Sequence, residues 1–263
     1  HLIRTEQAMP RDSPYRFQRG CHAGSSLNNH GMGDPVRPCG LVRSSFRPSD
    51  DVTKLPYLIP ANAMMAVELD RVCELLSSLG DDTSAKEARE LSVEIRTALE
   101  RHAIGHHPVC GEIWAYEIDG FGAQYWMDDA NVPSLLSLPY LGFCSKDDPR
   151  YRRTRAFCLS ENNPYFARGD YASGIGSAHT GQGSIWPMAI VMQALTAVDD
   201  AEILSCLRAL KATHAGTGFL HEAFDPMNPE NFSRKWFAWA NTLFGELILT
   251  LHRERPHLLA QPL

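Results

Sequence analysis

The sequence predicts an all-α fold of the toroid type, in which helices are joined by long and chemically varied connections. Apolar residues recur every three or four positions in 65–98 and again through most of 185–251, the period of helices with one buried face. The segments between them are long, whereas a short-looped bundle joins antiparallel neighbours with few residues. Extended pattern is confined to one short run, 112–119.

Up to about Asp51 the chain is rich in Gly, Pro, Ser, Asn and Arg without a sustained period, which predicts loops crossing a surface. Met65, Leu69, Val72, Leu76 and Leu79 then mark one face of a helix that Gly80 ends. Ser84-Ala85-Lys86-Glu87 reads as a capping box opening a second helix, with Ala88, Leu91, Ile95 and Ala98 on its buried face. Ile113, Trp114, Tyr116 and Ile118 favour an extended segment that turns at Gly120. A compact helix is expected over 132–140, limited by Pro139. Residues 145–184 read as one polar loop, and a loop of that length inside a compact domain is usually functional. Three helices follow, marked by Ile185, Met188, Val191 and Leu195, by Ile203, Leu207 and Leu210, and by Phe232, Trp236, Trp239, Leu243, Leu247 and Leu251.

Composition excludes several classes. Lys and Arg total 25 against 31 Asp and Glu, so 25 − 31 = −6, and no basic run tracks a phosphate backbone, which argues against nucleic acid. The longest apolar stretch, 185–198, is interrupted by Pro187, Gln193 and Thr196 and predicts a buried helix rather than a membrane span. The seven cysteines, at 21, 39, 73, 110, 144, 158 and 206, form no CxxC pair, and the histidines show no HExxH spacing. Neither a metal nor any other cofactor is expected, and no Ser or Cys sits in a GxSxG elbow. The first residues lack an initiator Met and a signal pattern, so the chain is expected to begin inside a longer protein, and nothing in it assigns a compartment.

Two acidic clusters stand out, Ser49-Asp50-Asp51 and His221-Glu222. Two carboxylates on loops are the minimum equipment for cutting a glycosidic bond. Ser49-Asp50-Asp51 could equally cap the helix expected near Pro60, and Asp129 with Asn131 could cap the one expected at 132. Glu222 has no helix end to cap. The glycines of 174–183 lack the Lys-Ser/Thr of a P-loop and the strand of a dinucleotide site, and read as backbone made to approach a ligand closely. His179 within that loop is as readily structural as binding. Trp126 and Trp186, at loop edges, are candidates for stacking on a sugar ring, whereas Trp236 and Trp239 share a face with Leu243 and Leu247 and read as core.

The blocks 45–51 (Ser-Phe-Arg-Pro-Ser-Asp-Asp), 127–142, 184–188, and 221–224 with 236–244 together resemble glycoside hydrolase family 125, in the same order, over about 13–251. The resemblance implies an (α/α)6 barrel and a metal-independent, inverting exo-α-1,6-mannosidase acting on mannose-containing oligosaccharides of the N-glycan type. It implies further that the Asp pair supplies the general acid, with Asp50 preferred over Asp51, and that Glu222 is the general base. Arg47, Asp128, Asp129, Asn131, His179 and Trp186 then become the residues expected to hold the mannose. An earlier Trp-Leu-Arg-Asp-Ser block of the family has no match here, so residues 1–263 are expected to be a single catalytic-domain fragment whose barrel lacks its first helices, poorly soluble and inactive alone. Residues 25–33 also diverge from the Thr- and Gly-rich loop expected there. The competing readings are an inactive carbohydrate-binding relative and a toroid glycosidase specific for another sugar.

Overall fold

The computed structural model describes residues 1–19 and 26–263. They form two compact units, His1–Trp126 with Pro133–Thr154, and Met127–Val132 with Arg155–Leu263. Ser25 and Cys21 lie outside the described residues. The rest of the 25–33 loop winds through left-handed backbone at Asn29, His30 and Gly31.

In the first unit, helices Ile59–Ser78 and Asp82–His102 pack along one another. Ser92 Oγ donates to the Ala66 carbonyl at 2.8 Å, and Arg89 and Arg96 both reach Asp70, which fixes their antiparallel register. Gly80 ends the first helix as expected. At φ 78° it lets the amides of Gly80 and Asp81 turn back to the carbonyls of Ser77 and Leu76, satisfying two orphan acceptors.

The buried stripe of that helix differs from the expected face. Asn62, Ala63, Ala66 and Val67 are buried, whereas Val72 is 42% and Leu79 72% exposed. Alanines permit the close approach of the neighbouring helix, and the Leu/Val spacing of the last turns does not reach it. The capping box is likewise displaced: the cap is Asp81, which accepts from the Ser84 amide, and the helix starts at Asp82. Its buried face is as expected, with Ala88, Leu91, Ile95 and Ala98 all inside.

Residues 112–119 are extended, as their alternating pattern requires. Gly111–Trp114 pairs with Ile104–His107, and Glu117–Ile118 is the centre of a three-stranded sheet between Tyr57–Leu58 and Gln124–Tyr125. Gly120 is needed at the turn, since a Cβ there would lie 2.2 Å from the Arg37 carbonyl oxygen. Residues 132–140 form successive turns rather than a helix. Ser134 and Ser137 exchange amide-to-hydroxyl bonds, which offers the backbone an alternative to the helical ladder, and Pro139 removes a donor.

The stretch 145–184 is not one loop. It contains the helix Pro149–Cys158, the hairpin Phe166–Arg168/Ser173–Ile175 and a 3₁₀ turn at Ala178–Thr180. Asp148 accepts from the amides of Arg150 and Tyr151 and so caps the helix, while Tyr151, Thr154, Phe157 and Cys158 are buried at helical spacing.

The second unit is built on Pro187–Thr196, almost wholly buried between Asp200–Ala212 and Ala238–Glu254. The last helix begins later than the sequence period suggests. Phe232 belongs instead to the hairpin Ala223–Asp225/Asn228–Ser233, and Trp236 precedes the helix. Trp236 is 55% and Trp239 37% exposed, so neither is the core residue expected. Ala240, Leu243, Leu247 and Leu251 form the buried face. Among the described residues no helix is long and apolar enough to cross a membrane.

Candidate active site

The Asp50-Asp51 block is a tight loop, not a helix cap. Phe46 bridges Val52, the Arg47 amide donates to the Asp51 carbonyl at 2.8 Å, and the Asp50 amide donates to the Arg47 carbonyl at 3.0 Å. The helix that follows has Leu58 in its cap position and no side-chain cap, so Ser49, Asp50 and Asp51 do not cap it. Asp50 sits at φ 68° and is exposed; Asp51 is half-buried and accepts the Ser49 hydroxyl at 2.6 Å. A non-glycine residue at positive φ is uncommon and marks strain, which proteins hold mostly at functional positions.

Arg47 anchors this loop from below. Its Nε lies 2.6 Å from Glu117 Oε1, and Glu117 Oε2 accepts from the amides of Lys54 and Leu55. The guanidinium also faces the rings of Tyr116 and Tyr125. Glu117 escapes a reading of the sequence because it stands as a lone charge between Tyr116 and Ile118 in an otherwise apolar strand.

In the second unit two of the residues expected to bind hydroxyls, Asp129 and Asn131, share one buried network with Ser177. Asp129 Oδ1 accepts from the Asn131 amide and Nδ2, at 2.9 and 2.7 Å, and Oδ2 accepts from Ser177 Oγ at 2.8 Å. The Ala130 amide donates to the Gly176 carbonyl, which ties this segment to the glycine loop, where a Cβ on Gly176 would lie 2.2 Å from the Ser184 carbonyl oxygen. Gly176 therefore serves backbone-to-backbone packing, whereas Gly181 and Gly183, at φ 81° and 90°, border open space. The amide of Asp128 donates to Asn163 Oδ1. Burial, and secondarily the Asp128 carboxylate it bonds, push the Cys158 thiol well above its ordinary range.

His179 is exposed, its amide bonded to Ser177 Oγ. Trp186 is not an open platform. It is 2% exposed, its Nε1 donates to Thr180 Oγ1 at 2.8 Å, and Phe237 meets it edge-on at 5.7 Å, so the expectation that it stacks on a sugar fails on burial. Trp126, in the first unit, is half-buried with its ring against His107.

Glu222 stands at the root of the 223–233 hairpin and is 7% exposed. Oε2 accepts from Ser233 Oγ at 3.0 Å, and Oε1 lies 3.1 Å from Arg234 Nε. His221 is fully buried, stacked on Phe232 at 3.8 Å, and its Nδ1 meets the Lys235 carbonyl, so that nitrogen carries the proton. Asn241, from the helix Ala238–Glu254, bonds both the amide and the carbonyl of Leu220. A carboxylate so held can accept a proton without swinging away. Among the described residues no group of three His, Cys, Asp or Glu side chains could hold a metal ion.

The profile of the metal-independent α-mannosidases, GH125, matches residues 2–249. The Meiotically up-regulated gene 157 protein of Schizosaccharomyces pombe is 48% identical over 254 residues, covering 95% of this chain and 50% of its own length. A Streptococcus pneumoniae metal-independent α-mannosidase, solved as a non-productive complex with α-1,6-mannobiose, superposes with a TM-score of 0.93 at 42% identity, covering 97% of this chain and 61% of the bacterial one. A bacterial glucoamylase bound to acarbose shares the fold alone, at a TM-score of 0.58 and 15% identity over 74% of this chain and 33% of its own. The chain thus spans about half the length of the curated relative it matches. With the Asp50-Asp51 loop, the buried Asp129 network and Glu222 all inside the matched range, the chain belongs to glycoside hydrolase family 125, the metal-independent α-mannosidases.

Proposed function

We propose that this chain carries the catalytic carboxylates of an exo-acting mannosidase that removes terminal α-1,6-linked mannose with inversion. The observation that supports this reading most is the paired engagement of Glu222: Ser233 Oγ holds one carboxylate oxygen at 3.0 Å and Arg234 Nε lies 3.1 Å from the other, which suits a base that must keep one direction. Asp50 is the proposed acid, on its exposed turn, and Asp51, already engaged by Ser49, supports it. Inversion requires the acid on the leaving oxygen and the base on the far face of the ring, with a water between carboxyl groups about 6.5–9.5 Å apart. Asp128, Asp129, Asn131 and His179 are proposed to receive mannose hydroxyls, and Arg47 to hold the acid loop.

The linkage is supported by the α-1,6-mannobiose in the similar bacterial structure. Incubation with α-1,2-, α-1,3- and α-1,6-mannobiose, followed by proton NMR of the first-formed mannose, tests both parts. The β-anomer, released only from the α-1,6 disaccharide, is expected. Release of the α-anomer would require a nucleophile in place of a base, and preference for another disaccharide would refute the linkage.

A further inference from the structure

Glu222 and Arg234 face each other because of strand register. Ala223 pairs with Ser233 and Phe224 with Phe232, so Glu222 and Arg234 follow directly on the hairpin's last pair; the Glu222 amide donates to the Ser233 carbonyl at 3.3 Å, and beyond it His221 Nδ1 meets the Lys235 carbonyl at 2.9 Å. Opposite charges at such cross-strand positions attract. Arg234 then leaves the strand, with φ 43°. Left-handed backbone costs an ordinary L-residue roughly 1–2 kcal/mol. Here it accompanies a guanidinium turned back onto the carboxylate.

That guanidinium has a second support. Its Cζ lies 5.8 Å from the centroid of the Phe237 ring, and Phe237 is itself braced by buried Trp186. Ser233 Oγ receives the Ala223 amide and donates to Glu222 Oε2. The two carboxylate oxygens are therefore held by different partners, and each keeps a lone pair for another donor. A single bond would leave the carboxylate free to turn about its last torsion; two stop it. Arg234 is 62% exposed, so the pair adds little to folding. Its geometry serves something other than stability.

We propose, resting on the reading of Glu222 as general base, that Arg234 is a positioning residue for that base, with Ser233 as the second point of a clamp. The clamp aims one free lone pair of the carboxylate at the attacking water. Its effect falls on kcat, because the direction of the base matters when water is deprotonated and not when mannoside binds. Arginine suits the place better than lysine, since one planar group both stacks on Phe237 and bonds the carboxylate.

Arg234→Met, Arg234→Lys, Ser233→Ala and Glu222→Gln, assayed on an aryl α-mannoside and melted in parallel, test this. Arg234→Met is expected to lower kcat about 10- to 100-fold, the scale of losing alignment, with KM within about threefold and an almost unchanged Tm. Arg234→Lys should recover part of kcat, and Ser233→Ala should lower it less. An inactive Glu222→Gln beside an Arg234→Met with undiminished kcat would overturn the role of Arg234 and leave the base in place. Turnover by Glu222→Gln would remove the base reading and this inference with it. Equal losses of kcat and Tm in the Met and Lys variants would show a structural role only.

Discussion

Arg47 and Glu117 form an ion pair that water does not reach, with Nε 2.6 Å from Oε1 and side chains 2% and 0% exposed. Removing one member strands the other charge, which costs about 3–5 kcal/mol. Arg47→Met is therefore expected to destabilise strongly, and Arg47→Met/Glu117→Gln less, because a neutral amide oxygen can still accept from the Lys54 and Leu55 amides. Urea denaturation of the three proteins decides it: a single variant as stable as the parent would contradict the reading of the pair as a buried anchor.

Glu222→Gln keeps the shape of the side chain and the Ser233 bond, and loses the base. Turnover is expected to fall by roughly 10²–10⁴, with sugar binding retained, as calorimetry with mannose would show. Asp50→Asn and Asp51→Asn should differ sharply, the first abolishing turnover of a substrate with a poor leaving group. Equal and mild losses would move the acid elsewhere.

Turnover is expected to survive prolonged EDTA, since no described cluster could hold a metal and the family is metal-independent. Loss of rate that added calcium or zinc restores is the contrary outcome.

Ser177 ties the glycine loop to Asp129, and deleting its hydroxyl leaves a buried carboxylate oxygen short of a donor. Ser177→Ala is expected to cost about 1–3 kcal/mol, and to weaken mannose binding if Asp129 receives a hydroxyl. Unchanged stability and unchanged affinity together would separate Asp129 from both roles.

Burial, with a smaller push from Asp148, takes the Cys144 thiol up to about 12; burial and Glu202 do the same for Cys206, and burial raises Cys158 well above its ordinary range. The nucleophile is the thiolate, and at pH 8 these three groups hold almost none. In the folded protein they should resist iodoacetamide at that pH and react once urea is added, which peptide mass mapping reads directly. Rapid alkylation of Cys158 before unfolding would show that its site is open.

Where an apolar period met a clear end signal, the sequence placed the helix well: 82–102 and 200–212 bury the residues their spacing marks, and 187–196 buries Met188 and Val191 but only half-buries Leu195. The helix at 149–158 was obscured because Arg150, Arg152, Arg153 and Arg155 are as many as the side chains it buries and break the apolar period, although Asp148-Pro149 is a start signal. Residues 132–140 show the opposite failure, an apolar run overridden by two serines that bond each other. For the site, Glu222 was legible as a loop carboxylate without a cap to make. Its partners Ser233 and Arg234 were not, because they reach it through hairpin register, which is set by pairing rather than by local spacing.

The left-handed turn at Asp50 sets the protein's stability against its activity. Glycine is the residue that adopts this backbone freely, so Asp50→Gly removes local strain at a modest cost in chain entropy. A screen for thermal tolerance alone would favour glycine there and discard the proposed acid, so selection for stability at this position would run against the proposed chemistry.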